Sequence, residues 1–179
     1  MLNAIPNPQT IMNATKRGNT SMAEINLAIF LASRIRSAGK DIEKAMAKMP
    51  ADRQVWHPPV EGNSGRDALD QVIECGLLNG WGATTFQNSL ALPPDWDAYT
   101  AQKALLDTPE KVHAAFKGGT EALASAIEAC SAMRLGETFV HPFYQTQTTW
   151  AEFADFFYWN MCYHEGQINY IQVLYGDVS

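Results

Sequence analysis

"TWAEFADFFYWNMCYHEGQINYIQVLYG", residues 149–176, decides the fold. Thr149 can cap a helix, and Glu152 three residues on completes a capping box, in which each side chain bonds the other residue's backbone N–H. Phe153, Phe157, Asn160, His164, Gln167, Ile171 and Leu174 then recur at steps of three and four. That is the period of one face of an α-helix. Gly176 supplies a stop. The expected helix is long and apolar on one side, yet it carries Asn160, His164 and Gln167 on the face that should meet the core.

Three more segments show the same period. Ser21 with Glu24 opens the first, and Ala28, Leu31, Ile35, Ala38, Ile42, Ala45 and Met49 carry its face until Pro50 ends it. Ser64 is the candidate cap of the second, with Asp67 three residues on. Ala68, Val72, Cys75 and Leu78 continue that face to about Phe86. In the third, Thr108 caps and Pro109 takes the first helical position. Val112, Phe116, Leu123, Ile127 and Cys130 then follow. No strand alternation of useful length, internal repeat or low-complexity segment stands out. Four amphipathic helices without strands read as all-α, a four-helix bundle. Linkers at residues 50–63, 88–106 and 134–148 join the helices, and two of these connections are long for such a bundle, where about 2–8 residues is usual. They are expected to pack over its ends, and the middle one to hold a short extra helix. Residues 1–20 read as an N-terminal arm and residues 21–179 as a single domain.

Composition narrows the function. The 179 residues carry a net charge of −6 and no stripe of Lys or Arg, so nucleic acid is not an expected partner. No apolar stretch approaches the ~18–20 residues of a membrane span. The N-terminus lacks the basic and apolar regions of a secretory signal. Three scattered cysteines, Cys75, Cys130 and Cys162, read as free thiols in a reducing compartment, which implies a cytoplasmic location.

Polar residues on core faces are the candidate site. Besides Asn160, His164 and Gln167, the second helix carries Gln71 beside Ala68, Val72 and Cys75. A buried polar group without a partner costs about 1–3 kcal/mol. These groups should therefore satisfy one another or bind something. A di-iron bundle needs two Glu-x-x-His motifs. Only Glu110–His113 matches, in a first helical turn where His113 should be exposed, so that chemistry is excluded. Cys162 and His164 are two apart and point to different faces. A Cys75–His164 pair across helices stays open as a nucleophilic dyad. His57 and His141 each precede proline in linkers and should be solvated.

Two stretches carry a resemblance. "MPADRQVWHPPVEGNSGRDALDQVIECGLLNGW", residues 49–81, and "WNMCYHEGQINYIQVLYG", residues 159–176, resemble the DinB/YfiT-like family, whose last helix reads His-x-x-x-His-x-Gly-Gln-Ile. The resemblance implies a four-helix bundle, commonly a homodimer, in which three histidines hold zinc or nickel. It also implies a relation to thiol-dependent transferases, acting with bacillithiol, mycothiol or glutathione, or to metal-dependent hydrolases. Here His164 matches one ligand, Asn160 stands in place of a second and Gln71 in place of the third. Amides are poor zinc donors, whereas imidazole, thiolate and carboxylate are good ones. Tight metal binding is therefore not expected unless Glu74 or Cys75 joins. Because Asn, Gln and neutral His all donate and accept, Asn160, His164 and Gln71 are expected to close a polar network where the metal would sit. Three functions stay open: an enzyme on a small molecule with His164 as general base, a non-catalytic binding protein, or a structural homodimer.

Overall fold

The helices begin where short polar side chains reach forward to free backbone N–H groups. The structure, a computed structural model, describes residues 26–59 and 65–176. Helix α1 (Leu27–Lys48) opens on Asn26, whose side chain accepts from Ile29 N at 3.2 Å. The expected cap Ser21, its partner Glu24 and the arm at 1–20 lie outside the described residues. A single turn, α2 (Ala51–Gln54), follows Pro50. Helix α3 (Ala68–Asn88) is capped by Asp67, which accepts from Asp70 N at 2.7 Å. The expected cap, Ser64, lies outside the described residues, and Asp67 fills the role assigned to it. Helix α4 (Trp96–Leu105) is the short extra helix, capped by Asp95. Helix α5 (Pro109–Glu128) has Thr108 as cap and Pro109 at its first position, as expected.

The third connection differs from expectation. It holds a turn of helix, α6 (Ala132–Gly136), and an antiparallel hairpin of β1 (Thr138–Val140) with β2 (Gln147–Thr149). Each strand is three residues long, too short to display a period of two. Helix α7 (Trp150–Leu174) then starts on the capping box, with Glu152 N donating to Thr149 Oγ1 at 3.2 Å and Thr149 N donating to Glu152 Oε2 at 2.8 Å. Gly176 takes φ +97° just beyond its end, the left-handed conformation that suits a residue without Cβ.

The chain is mostly helical, and α1, α3, α5 and α7 enclose one core. Helix α3 packs on α5 and α7, and α1 packs on the same two. Most of the apolar steps read from the sequence face inward: Ile35 and Ile42 from α1, Val72 from α3, Phe116 and Leu123 from α5, Phe153 and Phe157 from α7 are all fully buried, whereas Leu174, expected on the same face of α7, is exposed in its last turn. Helices α3 and α5 come into backbone contact. A Cβ on Gly119 would lie 2.3 Å from the Gly76 carbonyl oxygen, and one on Gly76 would lie 2.8 Å from Phe116 Cα. Among the described residues no helix is long and apolar enough to cross a membrane.

Candidate functional site

Helices α3 and α7 run antiparallel, so the start of α3 faces the C-terminal half of α7: Gln71 meets His164, and further along Phe86 meets Trp150 and Phe153. Gln71 and Glu74 are three apart on α3, and His164 and Gln167 are three apart on α7. Each pair therefore shares a face. The four side chains converge. His164 Nδ1 lies 2.5 Å from Gln71 Oε1 and 2.8 Å from Gln167 Oε1, while Nε2 lies 3.0 Å from Glu74 Oε1. The ring is only 2% exposed. Oxygen faces both nitrogens, so the arrangement is saturated when each carries a proton. With the Gln71 and Gln167 amides turned over, the neutral ring fits the same partners.

The network continues outward from the ring. Glu74 Oε2 accepts from the Arg66 guanidinium at 2.6 Å, and Arg66 Nε donates to Asp70 Oδ2 at 2.5 Å. Asp70 also pairs with Lys103 of α4. The hydrogen bond from His164 holds the Glu74 carboxyl below its ordinary range; burial opposes this, and the Arg66 charge assists it. Burial also opposes ionisation of Asp70, but hydrogen bonds from Lys103 and Arg66 outweigh it and hold that carboxyl low as well. The line Gln167–His164–Glu74–Arg66–Asp70–Lys103 thus runs from core to surface and joins α7, α3, the residue before α3's cap, and α4.

Two of the three expected site residues are brought together. Gln71 and His164 touch. Asn160 is buried, but it bonds neither of them, and its Nδ2 has no hydrogen-bond partner among the described residues. The expected three-residue network is corrected at that position: Glu74 and Gln167 complete it. Glu74 lies one turn from Gln71 on α3 and Gln167 one turn from His164 on α7, and both side chains reach the ring. Glu74 was visible as a neighbour of Gln71. Arg66 and Asp70 were missed, though Arg66, Asp70 and Glu74 recur at steps of four, the spacing of helical ion pairs.

The residues do not fit a zinc or nickel site. His164 and Glu74 are the two good donors, and the rest of the shell is amide. Among the described residues no group of three or more His, Cys, Asp and Glu is placed to hold a metal ion. Cys75 makes no hydrogen bond to His164, and burial pushes its thiol well above the usual range. The Cys75–His164 dyad therefore has no support.

Three other histidines also differ from expectation or refine it. His57 is exposed, yet its Nδ1 bonds Gly65 O at 3.0 Å. His113 is half-buried. His141, expected to be solvated, is 4% exposed. Its Nδ1 accepts from Phe143 N at 3.2 Å and Tyr144 N at 3.4 Å, its ring stacks on Tyr144, and its Nε2 is unpartnered among the described residues. Burial lowers its pKa. The turn after β1 folds this ring against Phe153 and Phe156 of α7, which no local sequence signal announces.

One cavity, of about 470 Å³, sits between α3, α4 and α5, and Gly76, Gly80, Trp81, Pro94, Tyr99 and Gly119 are among its walls. Burial, with the Glu74 charge adding, pushes the Tyr99 hydroxyl up to about 12, so it stays a neutral donor and acceptor. Three smaller cavities are lined by other residues, and Gln71, Asn160 and His164 line none of the four. Comparison of the chain with protein-family models, with curated proteins and with solved structures returns no match.

Proposed function

We propose that this chain is a DinB-like four-helix bundle that works without metal, as a non-catalytic small-molecule-binding protein of the cytoplasm. The contact of His164 with Gln71 falls at two of the three positions that the resemblance assigns to metal ligands, which supports the reading. One observation carries the reading: both ring nitrogens of His164 are engaged by protein groups, and the ring is almost fully buried. A general base needs a free nitrogen within hydrogen-bond reach of the substrate proton. A metal ligand needs a free lone pair. His164 offers neither, which separates this reading from a thiol-dependent transferase or a metal-dependent hydrolase. The binding site is the cavity walled by Trp81, Pro94 and Tyr99, whose volume falls in the ~300–1,000 Å³ range of small-molecule pockets. The cysteines are free thiols, in keeping with a reducing compartment.

Elemental analysis of untagged full-length protein tests the metal, and thermal-shift screening against a panel of small molecules, with glutathione and its adducts included, tests the pocket. The expected result is metal far below one equivalent, a melting temperature indifferent to chelator, and a ligand shift abolished by Gly80→Leu, which fills the cavity. One equivalent of zinc or nickel would overturn the reading. So would turnover of a thiol adduct that disappears in His164→Ala.

A further inference from the structure

Glu152, Asp155, Phe156 and Trp159 stand at steps of three, one and three, so they share one face at the start of α7. Tyr144 reaches that face from the turn between β1 and β2. Together the five line a hollow of about 280 Å³, open to solvent. Three are aromatic, two are carboxylates and none is basic. The rings are held by neighbours outside the hollow. Tyr144 stacks on the buried His141 ring with centroids 4.6 Å apart, and its backbone N–H donates to His141 Nδ1 at 3.4 Å. It stands at 83° to Phe156, centroids 6.0 Å apart, so these two walls meet at nearly a right angle. Trp159 stacks on Tyr163 at 5.5 Å. Yet Tyr144 and Trp159 are 58% and 55% exposed. Rings fixed in place but open to solvent offer a ligand their faces without a cost of ordering them.

We propose that this hollow is a binding site for an alkylated ammonium cation, a choline-like small molecule without an acid group. The faces of aromatic rings carry negative charge density and attract a cation, most of all a quaternary ammonium that sheds its water readily. The carboxylates add to that pull. Thr148 and Thr149 bond Glu152 through Oε2 alone, and Oε1 has no hydrogen-bond partner among the described residues. Bonds from the Thr149 backbone and side chain hold the Glu152 carboxyl below its ordinary range, so it is charged at neutral pH. Asp155 pairs with Arg34 through Oδ1 at 2.8 Å. The Arg34 guanidinium lies over the Tyr158 ring at 3.8 Å and is not part of the lining. It offsets one of the two carboxylates, and the lining keeps a net negative charge. Other ligands fit less well. A primary ammonium is strongly hydrated and needs several acceptors in place of its water, whereas three of the five walls are rings. A calcium ion takes six to eight oxygens, and two carboxylates fall short. A neutral apolar molecule gains nothing from the charges, and a zwitterion brings its own carboxylate against them. The hollow shares no lining residue with the cavity beneath α4, so the inference is independent of the proposed function.

Titration of the full chain, followed by NMR at the Tyr144 amide and the Trp159 indole N–H, tests it. Four probes are compared: choline, its uncharged isostere 3,3-dimethyl-1-butanol, ethanolamine and glycine betaine. Choline is expected to shift both signals saturably with a Kd of about 1 mM or tighter, and the other three to bind about tenfold more weakly or worse. Trp159→Leu, read at the Tyr144 amide, keeps an apolar wall without the indole face and should weaken choline about tenfold. Tyr144→Leu, read at the Trp159 indole, should do the same from the hairpin side. Both sites are exposed, and circular dichroism and melting temperature check that each variant folds. The absence of saturable choline shifts overturns the proposal, as does unchanged affinity in a folded variant of either ring. Equal binding of 3,3-dimethyl-1-butanol would make the hollow merely apolar. Equal binding of ethanolamine or betaine would overturn the choice of an alkylated cation without an acid group. Choline shifts centred on Trp81 and Tyr99 would place the cation in the cavity beneath α4 and overturn the site.

Discussion

At the scale of single residues, the hydrogen bonds around His164 decide how costly its loss is. His164→Ala strands three partners together: Gln71 loses the ring, Gln167 loses the ring, and Glu74 keeps only Arg66. Buried groups left without partners cost about 1–3 kcal/mol each, and water entering the vacated space recovers part of that. The expected destabilisation is about 2–4 kcal/mol in urea unfolding. His164→Gln, which keeps one polar contact, should cost visibly less. Equal losses in the two variants would mean that packing, and not hydrogen bonding, is what the ring supplies. This much of the site was legible, because the helical period places Gln71 and His164 on core faces. Asn160 was legible as a core-facing residue as well, and it is buried; that its Nδ2 finds no partner among the described residues was not legible.

His141 adds a pH dependence at the same scale. Two backbone N–H groups donate to its Nδ1, so the buried ring must stay neutral, and burial lowers its pKa from 6.5. The sign follows from linkage: the unfolded chain takes up the proton first as pH falls, so stability is complete above about 6.5 and declines as pH drops toward the lower folded value. Glu74, also held low, extends the decline to more acidic pH, again because the unfolded state protonates first. Unfolding measured at about pH 7.5 and about pH 5.5 should show wild type losing stability between them. His141→Asn, which can still accept a hydrogen bond but does not titrate there, should lose less. Parallel losses would remove His141 as the source.

At the scale of elements, two adjacent glycines in α5 make opposite predictions. Gly119 faces α3, where an added Cβ would sit 2.3 Å from the Gly76 carbonyl oxygen, whereas Gly118 has nothing within 4 Å. Backbone cannot yield as a flexible side chain can, so Gly119→Ala should destabilise by about 1–3 kcal/mol or more. Gly118→Ala, in an exposed helix interior, should stabilise by about 0.5–1 kcal/mol through reduced entropy of the unfolded chain. Chemical denaturation of the two variants side by side checks both signs, and a matched sign would contradict the close approach of α3 and α5. The sequence makes the four long helices legible because each repeats its apolar step through five or more turns. It hides α2, α6 and the β1–β2 hairpin because three to five residues hold no more than about one and a half repeats of a helix or strand pattern, too few to stand out. Caps fall between these cases. Thr108 and Thr149 stand just before an apolar run and were read correctly. In the crowded "NSGRD" several residues are competent, and the one nearest the run, Asp67, does the capping.

At the scale of the whole molecule, the core and the binding cavity differ in stability, and that difference bears on function. Helices α3 and α7 are held by buried aromatics and the His164 network. Helix α4 buries no residue fully and is attached by the Asp70–Lys103 ion pair, a tilted contact of Trp96 with Phe143, and half-buried Tyr99. It is also a wall of the 470 Å³ cavity. Elements with few buried apolar contacts open at free energies well below global unfolding. Amides of residues 96–105 should therefore exchange with solvent at least about a hundredfold faster than those in the middle of α3 and α7, a gap of about 3 kcal/mol. Arg66→Ala should widen that gap, because it leaves the Asp70 and Glu74 carboxylates four residues apart on one helix without the cation between them. A ligand in the cavity should slow exchange in α4 and leave α7 unchanged. Exchange in α4 as slow as in α7 would mean that this wall is rigid, and the cavity would then admit a ligand only through its existing mouth. The location of the wall could not be read from the sequence, since α4 lies in a connection whose contacts span the chain from Asp70 to Phe143. A short extra helix was expected in that connection, but neither its cap, Asp95, nor the space beneath it was read.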